Sequence, residues 1–310
     1  MAKRIETHDD LLDFYRAQTE VSDPASQAFA YETLPGEVAA LCAVLQGLLI
    51  HMWWIGEKTY GFTRQDLEED GRDVLDEIGL RTAEQMIDKI LAMDARPLAE
   101  PREARRRLVG NCRDYTLLLV SILRHRGVPA RARTGAGRYF YPDGSRLEDH
   151  WICEWWNAAD ERWQQTDAQL DDVMKQAMAL PFDATDLPSD QFLTGWQCHD
   201  EVAEGRIEPK RIGYGEDFAG LAYTRHKMLV DLVSLTGEEL LPWAGWGIGS
   251  FPERAEPGDD ELADRIFRLL RSIDEPSVLQ EARELIPSHP RLRRLEGYDP
   301  GPFRQEWLDA

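Results

Sequence analysis

Few cysteines, few cations for the number of acids, and no long hydrophobic run: each scarcity closes off a class of protein. Four cysteines, Cys42, Cys112, Cys153 and Cys198, are spread over 310 residues, which is too sparse for a disulfide scaffold, so reduced thiols are expected. No two of them form a C-x-x-C pair, and the neighbours Cys198 and His199 lack a second pair at ligand spacing, so no metal site is expected. Lys and Arg number 36 against 57 Asp and Glu, a net charge of −21, and such a surface repels nucleic acid and anionic membranes, so neither is expected as a partner. No apolar stretch reaches the roughly eighteen residues that a membrane span needs. The longest candidate, Val38 to Ile55, is interrupted by Gln46, Gly47 and His51. The N-terminus turns acidic at once and has no apolar secretory segment, so a cytoplasmic location is the expectation.

What is present suits a folded globular chain, since 43% of the residues are hydrophobic and 30% charged, enough to bury a core. From Ile5 to about Arg107 the apolar spacing is helical, notably in "EVAALCAVLQGLLIHMWW" and "TAEQMIDKILAM", where Thr82 and Gln85 read as a capping box. Strand texture follows in "ARARTGAGRYFY", then a turn at "PDGS", then "DHWICEWWNAADERWQQTDAQL", which reads as a hairpin connected by "NAADER". That hairpin puts Trp151, Cys153 and Trp155 on one face. Helical texture returns after Asp171 in "DQFLTGWQCHDEV", "GLAYTRHKMLVDLVSL", "DELADRIFRLLRSI" and "SVLQEARELI". The expectation is an α+β fold, with a helical N-terminal region over 1–100, a core over 101–175 and a mainly helical C-terminal extension over 176–310.

One cysteine is oddly placed for a packing residue. The run "NCRDYTLLLVSILRHRG" has a helical pattern with basic residues in its last turn and Gly127 as a stop, so Cys112 stands at a helix N-terminus. Unpaired N–H groups and the positive end of the helix dipole both favour a thiolate there. Ten arginines between Arg102 and Arg138, against Glu103 and Asp114 alone, form a basic island around it. A thiolate nucleophile needs a proton donor for the leaving group and a third residue to orient that donor. His150 and Asp167 lie on the hairpin that could bring them together. For Arg105 to Arg107, pairing with carboxylates of the flanking helices is the plainer expectation.

The motifs "GNCRD" (110–114) opening a helix, "LRHRGVPARARTG" (123–135), "DHWICEWW" (149–156) and "RWQQTDAQL" (162–170), in this order, resemble the transglutaminase-like superfamily of papain-like thiol enzymes. The resemblance implies a core in which the cysteine helix packs on an antiparallel sheet. It implies Cys112 as nucleophile, His150 as general base and acid, and Asp167 as the residue that orients the imidazole. Trp151, Arg113 and Trp246 are the residues expected to touch substrate. The backbone N–H of Cys112 would hold part of the oxyanion, with Gln46, Trp53 or Trp54 as candidates for the second donor. No cofactor is implied, and no D-x-[DN]-x-[DN]-G loop suggests the calcium dependence of animal transglutaminases.

The expected activity is acyl transfer from a peptide, protein or small-molecule amide or thioester through an acyl-cysteine, as in a protease, amidase, deamidase or transglutaminase. Two other readings stand beside it: a biosynthetic acyltransferase docking an acidic carrier protein on the arginine island, and a non-catalytic binding module. In the segment "LLPWAGWGIGSFP" (240–252), Trp243, Trp246 and Phe251 either cover the cleft at Cys112 or fasten the C-terminal helices to the core.

Overall fold

The computed structural model describes residues 3–214, 218–250 and 256–294. In chain order its elements are α1 (His8–Arg16), α2 (Val38–Leu48), β1 (Leu49–His51), α3 (Arg64–Glu69), α4 (Val74–Ile78), α5 (Ala83–Met93), β2 (Leu108–Gly110), α6 (Cys112–His125), β3 (Ala130–Gly137), β4 (Leu147–Asn157), β5 (Arg162–Thr166), α7 (Asp172–Met178), β6 (Phe192–Thr194), α8 (Gly195–Ala203), β7 (Ile212–Tyr214), β8 (Phe218–Ala219), α9 (Gly220–Leu235), α10 (Asp259–Arg271) and α11 (Pro276–Ser288). Helices and strands are mixed along the chain in an α+β fold. Two compact units divide it, one built from Arg16–Ala132 with Ile152–Leu187 and the other from Met1–Tyr15, Arg133–Trp151 and Pro188–Ala310.

In the unit that holds Cys112, α2 and α5 each pack against α6. The predicted capping box of α5 is present, Thr82 accepting from Gln85 N and Gln85 from the backbone of Thr82. Helix α2 is shorter than its apolar run predicts, because Leu49–His51 leave it to pair in parallel with Leu108–Gly110. A short apolar run fits either element by periodicity, and here pairing with β2 decides. The C-terminal part of β4 forms the predicted antiparallel hairpin with β5, Cys153 opposite Thr166 and Trp156 opposite Trp163. Arg131 is buried here by pairing with Glu154 and stacking on the Trp163 ring at 4.0 Å.

In the other unit α9 is buried along most of its length, with α8 packed against it. Its apolar residues alternate with buried polar ones, and Asp231 pairs with Arg133 of β3 at 2.9 Å. The predicted helix over "DQFLTGWQCHDEV" begins late, because Phe192–Thr194 pair antiparallel with Gly135–Gly137. A Cβ on Gly135 would stand 1.9 Å from the Leu193 carbonyl oxygen, so glycine is what lets these strands approach. Thr194 and Gln197 then cap α8. Strand β4 pairs in parallel with β7, and β7 antiparallel with β8, so parallel pairing accompanies the antiparallel pairs expected from sequence.

Candidate active site

Cys112 is the first residue of α6, and its neighbours cap that helix in both directions. Asn111 Oδ1 accepts from Arg113 N at 3.0 Å, and Asp114 Oδ2 accepts from Asn111 N at 2.9 Å. This capping box fixes the backbone immediately around Cys112, which is 6% exposed. Burial pushes the Asp114 carboxyl up to about 6, against the pull of Arg113 and the Asn111 N–H. Arg113 does not present its guanidinium to solvent: it donates to the carbonyls of Leu80 at 3.4 Å and Arg81 at 2.5 Å and to Asp114 at 3.2 Å. Arg113, expected to touch substrate, thus ties the helix start to the α4–α5 connection.

Asp167 follows β5 and is buried. Its N–H donates to the Ala184 carbonyl at 2.8 Å, and its Oδ1 accepts from Gln169 N at 3.0 Å. Gln46 on α2 donates through Nε2 to the carbonyls of Ala168 and Leu170, both at 3.1 Å. The Gln46 amide, one of the three candidates for the second oxyanion donor, thus braces the segment after Asp167. Of the other two candidates, Trp53 is exposed and Trp54 half-buried.

His150 lies on β4, almost fully buried, within a collar of aromatic rings. Phe140 is 4.8 Å from the imidazole at 70°, Tyr139 5.9 Å at 90°, and Phe192 6.4 Å at 71°, all edge-on. Phe192 arrives through its register with Gly137. A Cβ on Gly137 would stand 2.8 Å from Phe140 and 3.1 Å from Tyr139, so glycine there leaves room for the collar. On either side of His150, Asp149 is ion-paired with buried Lys227 of α9, and the ring of fully buried Trp151 lies 6.0 Å from the same ammonium. Trp151, expected to touch substrate, is fully buried in this packing. Burial also pushes Glu148 up to about 7, Arg146 opposing and Asp149 adding to the rise.

Cys112 and Asp167 belong to one compact unit and His150 to the other. Trp246, the remaining residue expected at substrate, is half-buried and donates through its indole to the Leu292 carbonyl at 2.8 Å. Trp243 is buried, and Phe251 lies outside the described residues. The collar of Tyr139, Phe140 and Phe192 and the buried Lys227 escaped sequence reasoning. The aromatic run "RYFY" before the turn at 142–145 was the one local signal of the collar.

Five of the ten island arginines, Arg102, Arg113, Arg124, Arg131 and Arg133, are buried, while Arg105 pairs with Asp70 at 2.7 Å as expected. None of the four cysteines is in a disulfide. Among the described residues no group of three or more His, Cys, Asp or Glu could hold a metal ion, and no helix is long and apolar enough to cross a membrane.

No curated protein matches the chain. Among solved structures it resembles a crystal structure of a candidate cysteine protease from Cytophaga hutchinsonii at 14% identity and a TM-score of 0.31, over 60% of this chain and 45% of that one. The chain spans less than half of that protein's length, and the likeness is too slight to carry an argument. Residues 85–168, which include Cys112, His150 and Asp167, match the Transglutaminase-like superfamily. Over this segment, about a quarter of the chain, the sequence is similar to that superfamily.

Proposed function

We propose that the chain is a cysteine-dependent acyl-transfer enzyme in which Cys112, His150 and Asp167 act together. The observation that carries the reading is the position of Cys112 as the first residue of a capped helix inside the superfamily-matched segment. N–H groups and the helix dipole at that point favour a thiolate and a developing oxyanion alike. The thiolate attacks the carbonyl carbon of an amide or thioester, and the imidazolium of His150 gives its proton to the departing nitrogen or sulfur. Cys112 then carries the acyl group. An incoming water or amine yields its proton to His150, attacks the acyl carbon and releases the thiolate. Asp167, its carboxylate fixed by the Gln169 N–H and its loop by Gln46, orients the imidazole.

Support for a carrier-protein docking surface on the arginine island is weak on physical grounds, because half of those guanidinium groups are buried among their own partners. Intact-protein mass spectrometry after incubation with an acyl thioester tests the main reading. The expected result is one acyl adduct on Cys112, absent from Cys112→Ser and slowed in His150→Ala. No adduct on the folded protein, or an adduct elsewhere, would leave a binding module as the better account.

A further inference from the structure

We infer that Phe140 sets leaving-group specificity at the proposed site, favouring substrates whose departing amine or thiol carries an apolar group. This rests on the acyl-transfer reading, since it concerns the group that His150 protonates. The argument begins with the collar. Three rings meet the imidazole edge-on, but they differ in what else they face. Tyr139 and Phe192 are buried, whereas Phe140 is both nearest to the imidazole, at 4.8 Å, and only half-buried. Tyr141, next along, is exposed. Phe140 is therefore the ring of the collar that keeps some apolar surface unburied while its centroid lies nearest the imidazole.

The chemistry puts the leaving group at that place. Sulfur of Cys112 bonds to the carbonyl carbon, the bond from that carbon to the leaving sulfur or nitrogen breaks, and its electron pair stays with the departing atom. That atom takes the proton that His150 received from the Cys112 thiol. It must come within hydrogen-bond reach of the imidazole, so the atoms attached to it pass the rings that flank His150. An apolar or aromatic substituent gains by covering Phe140, while a charged one loses hydration against it.

Two acetyl thioesters test this, S-benzyl thioacetate and the acetyl thioester of 2-mercaptoethanesulfonate, because their thiols are similarly basic but one is aromatic and the other anionic. Cys112 acetylation is followed by intact-protein mass spectrometry at salt high enough to screen the protein's negative charge. Wild type is expected to prefer the benzyl thioester by roughly tenfold, and Phe140→Ala to bring the two rates within about twofold of each other. Using the ratio separates specificity from imidazole positioning. If both rates fall in step in Phe140→Ala and the ratio persists, Phe140 only positions His150 and the inference is overturned. Equal rates in wild type overturn it too. Phe140→Leu, a milder change, should lower the ratio by roughly two- to threefold; an unchanged ratio there overturns the inference even if the alanine variant fails to fold. Failure of both thioesters to acetylate wild-type Cys112 would instead remove the acyl-transfer reading, and this inference with it.

Discussion

Asp149, the residue before His150, is ion-paired with Lys227, a lysine buried in the middle of α9. Thr134 accepts from the Lys227 ammonium at 3.2 Å, and the single proton of the Tyr223 hydroxyl is shared between Asp149 Oδ1 at 3.0 Å and the Gly135 carbonyl at 2.9 Å. The pair thus joins α9 to β3 and β4 at the point where His150 sits. Removing one member of a buried pair strands the other charge, whereas removing both does not. Lys227→Met should therefore cost roughly 3 kcal/mol, and Lys227→Met with Asp149→Asn should cost clearly less than the two single changes summed. Urea unfolding of the four proteins measures this; simple additivity would mean the pair does not interact.

How far this was legible in the sequence depends on where each partner lies along the chain. Helix α6 and the β4–β5 hairpin could be read because their signals are local: the helical spacing and basic last turn, the stop at Gly127, and alternation on either side of "NAADER". Strands β1 and β6 could not, because each is three residues long and is defined by a distant partner. The arginine island misled for a related reason. Charge in a sequence suggests a solvated face, yet Arg133 finds Asp231 and Arg131 finds Glu154 in the interior. Nothing in the local sequence around Lys227 marks it as buried. The collar on His150 was hidden because Phe192 reaches it only through the β3–β6 register.

Selective modification distinguishes Cys112 from the other thiols. Burial pushes Cys42 up to about 12 and raises both Cys153 and Cys198 strongly, and none of these three sits at a helix start. Iodoacetamide near neutral pH should therefore label Cys112 at least about a hundredfold faster than the rest. Peptide mapping over a time course reads the four rates. Earlier labelling of Cys42, Cys153 or Cys198 would contradict the assignment of Cys112 as the nucleophile.

Asp167→Asn should leave folding nearly intact, because an asparagine oxygen can still accept from Gln169 N and the Asp167 N–H still reaches the Ala184 carbonyl. What changes is the charge that would steady the imidazolium of His150. Single-turnover acylation of Cys112 should slow by roughly 10²- to 10⁴-fold, with little change in the thioester concentration needed for half-saturation. Stopped-flow or quenched mass spectrometry separates the two parameters, and an unchanged acylation rate would take Asp167 out of the mechanism.

His226 of α9 is buried and makes a hydrogen bond of 2.9 Å through Nδ1 to the Gly249 carbonyl. Its imidazole is pushed down to about 4, first by burial and then by the charge of Lys227, while the Gly249 and Pro242 backbone and Asp149 oppose the shift. The neutral ring, protonated on Nδ1, is thus the form the fold holds. Below its usual value near 6.5, the unfolded chain binds a proton that the folded one refuses. The stabilisation is therefore complete above about pH 6.5 and is lost as pH falls toward 4, by roughly 1.4 kcal/mol per pH unit. Asp114 and Glu148, raised to about 6 and 7, work in the opposite sense, favouring the folded state as pH falls through those values. Comparing wild type with His226→Gln at each pH cancels their contribution. Between pH 7.5 and 5 the wild type should lose roughly 2 kcal/mol more than the variant in urea unfolding followed by tryptophan fluorescence. Parallel losses would show that His226 takes up its proton in the folded state as readily as in the unfolded one.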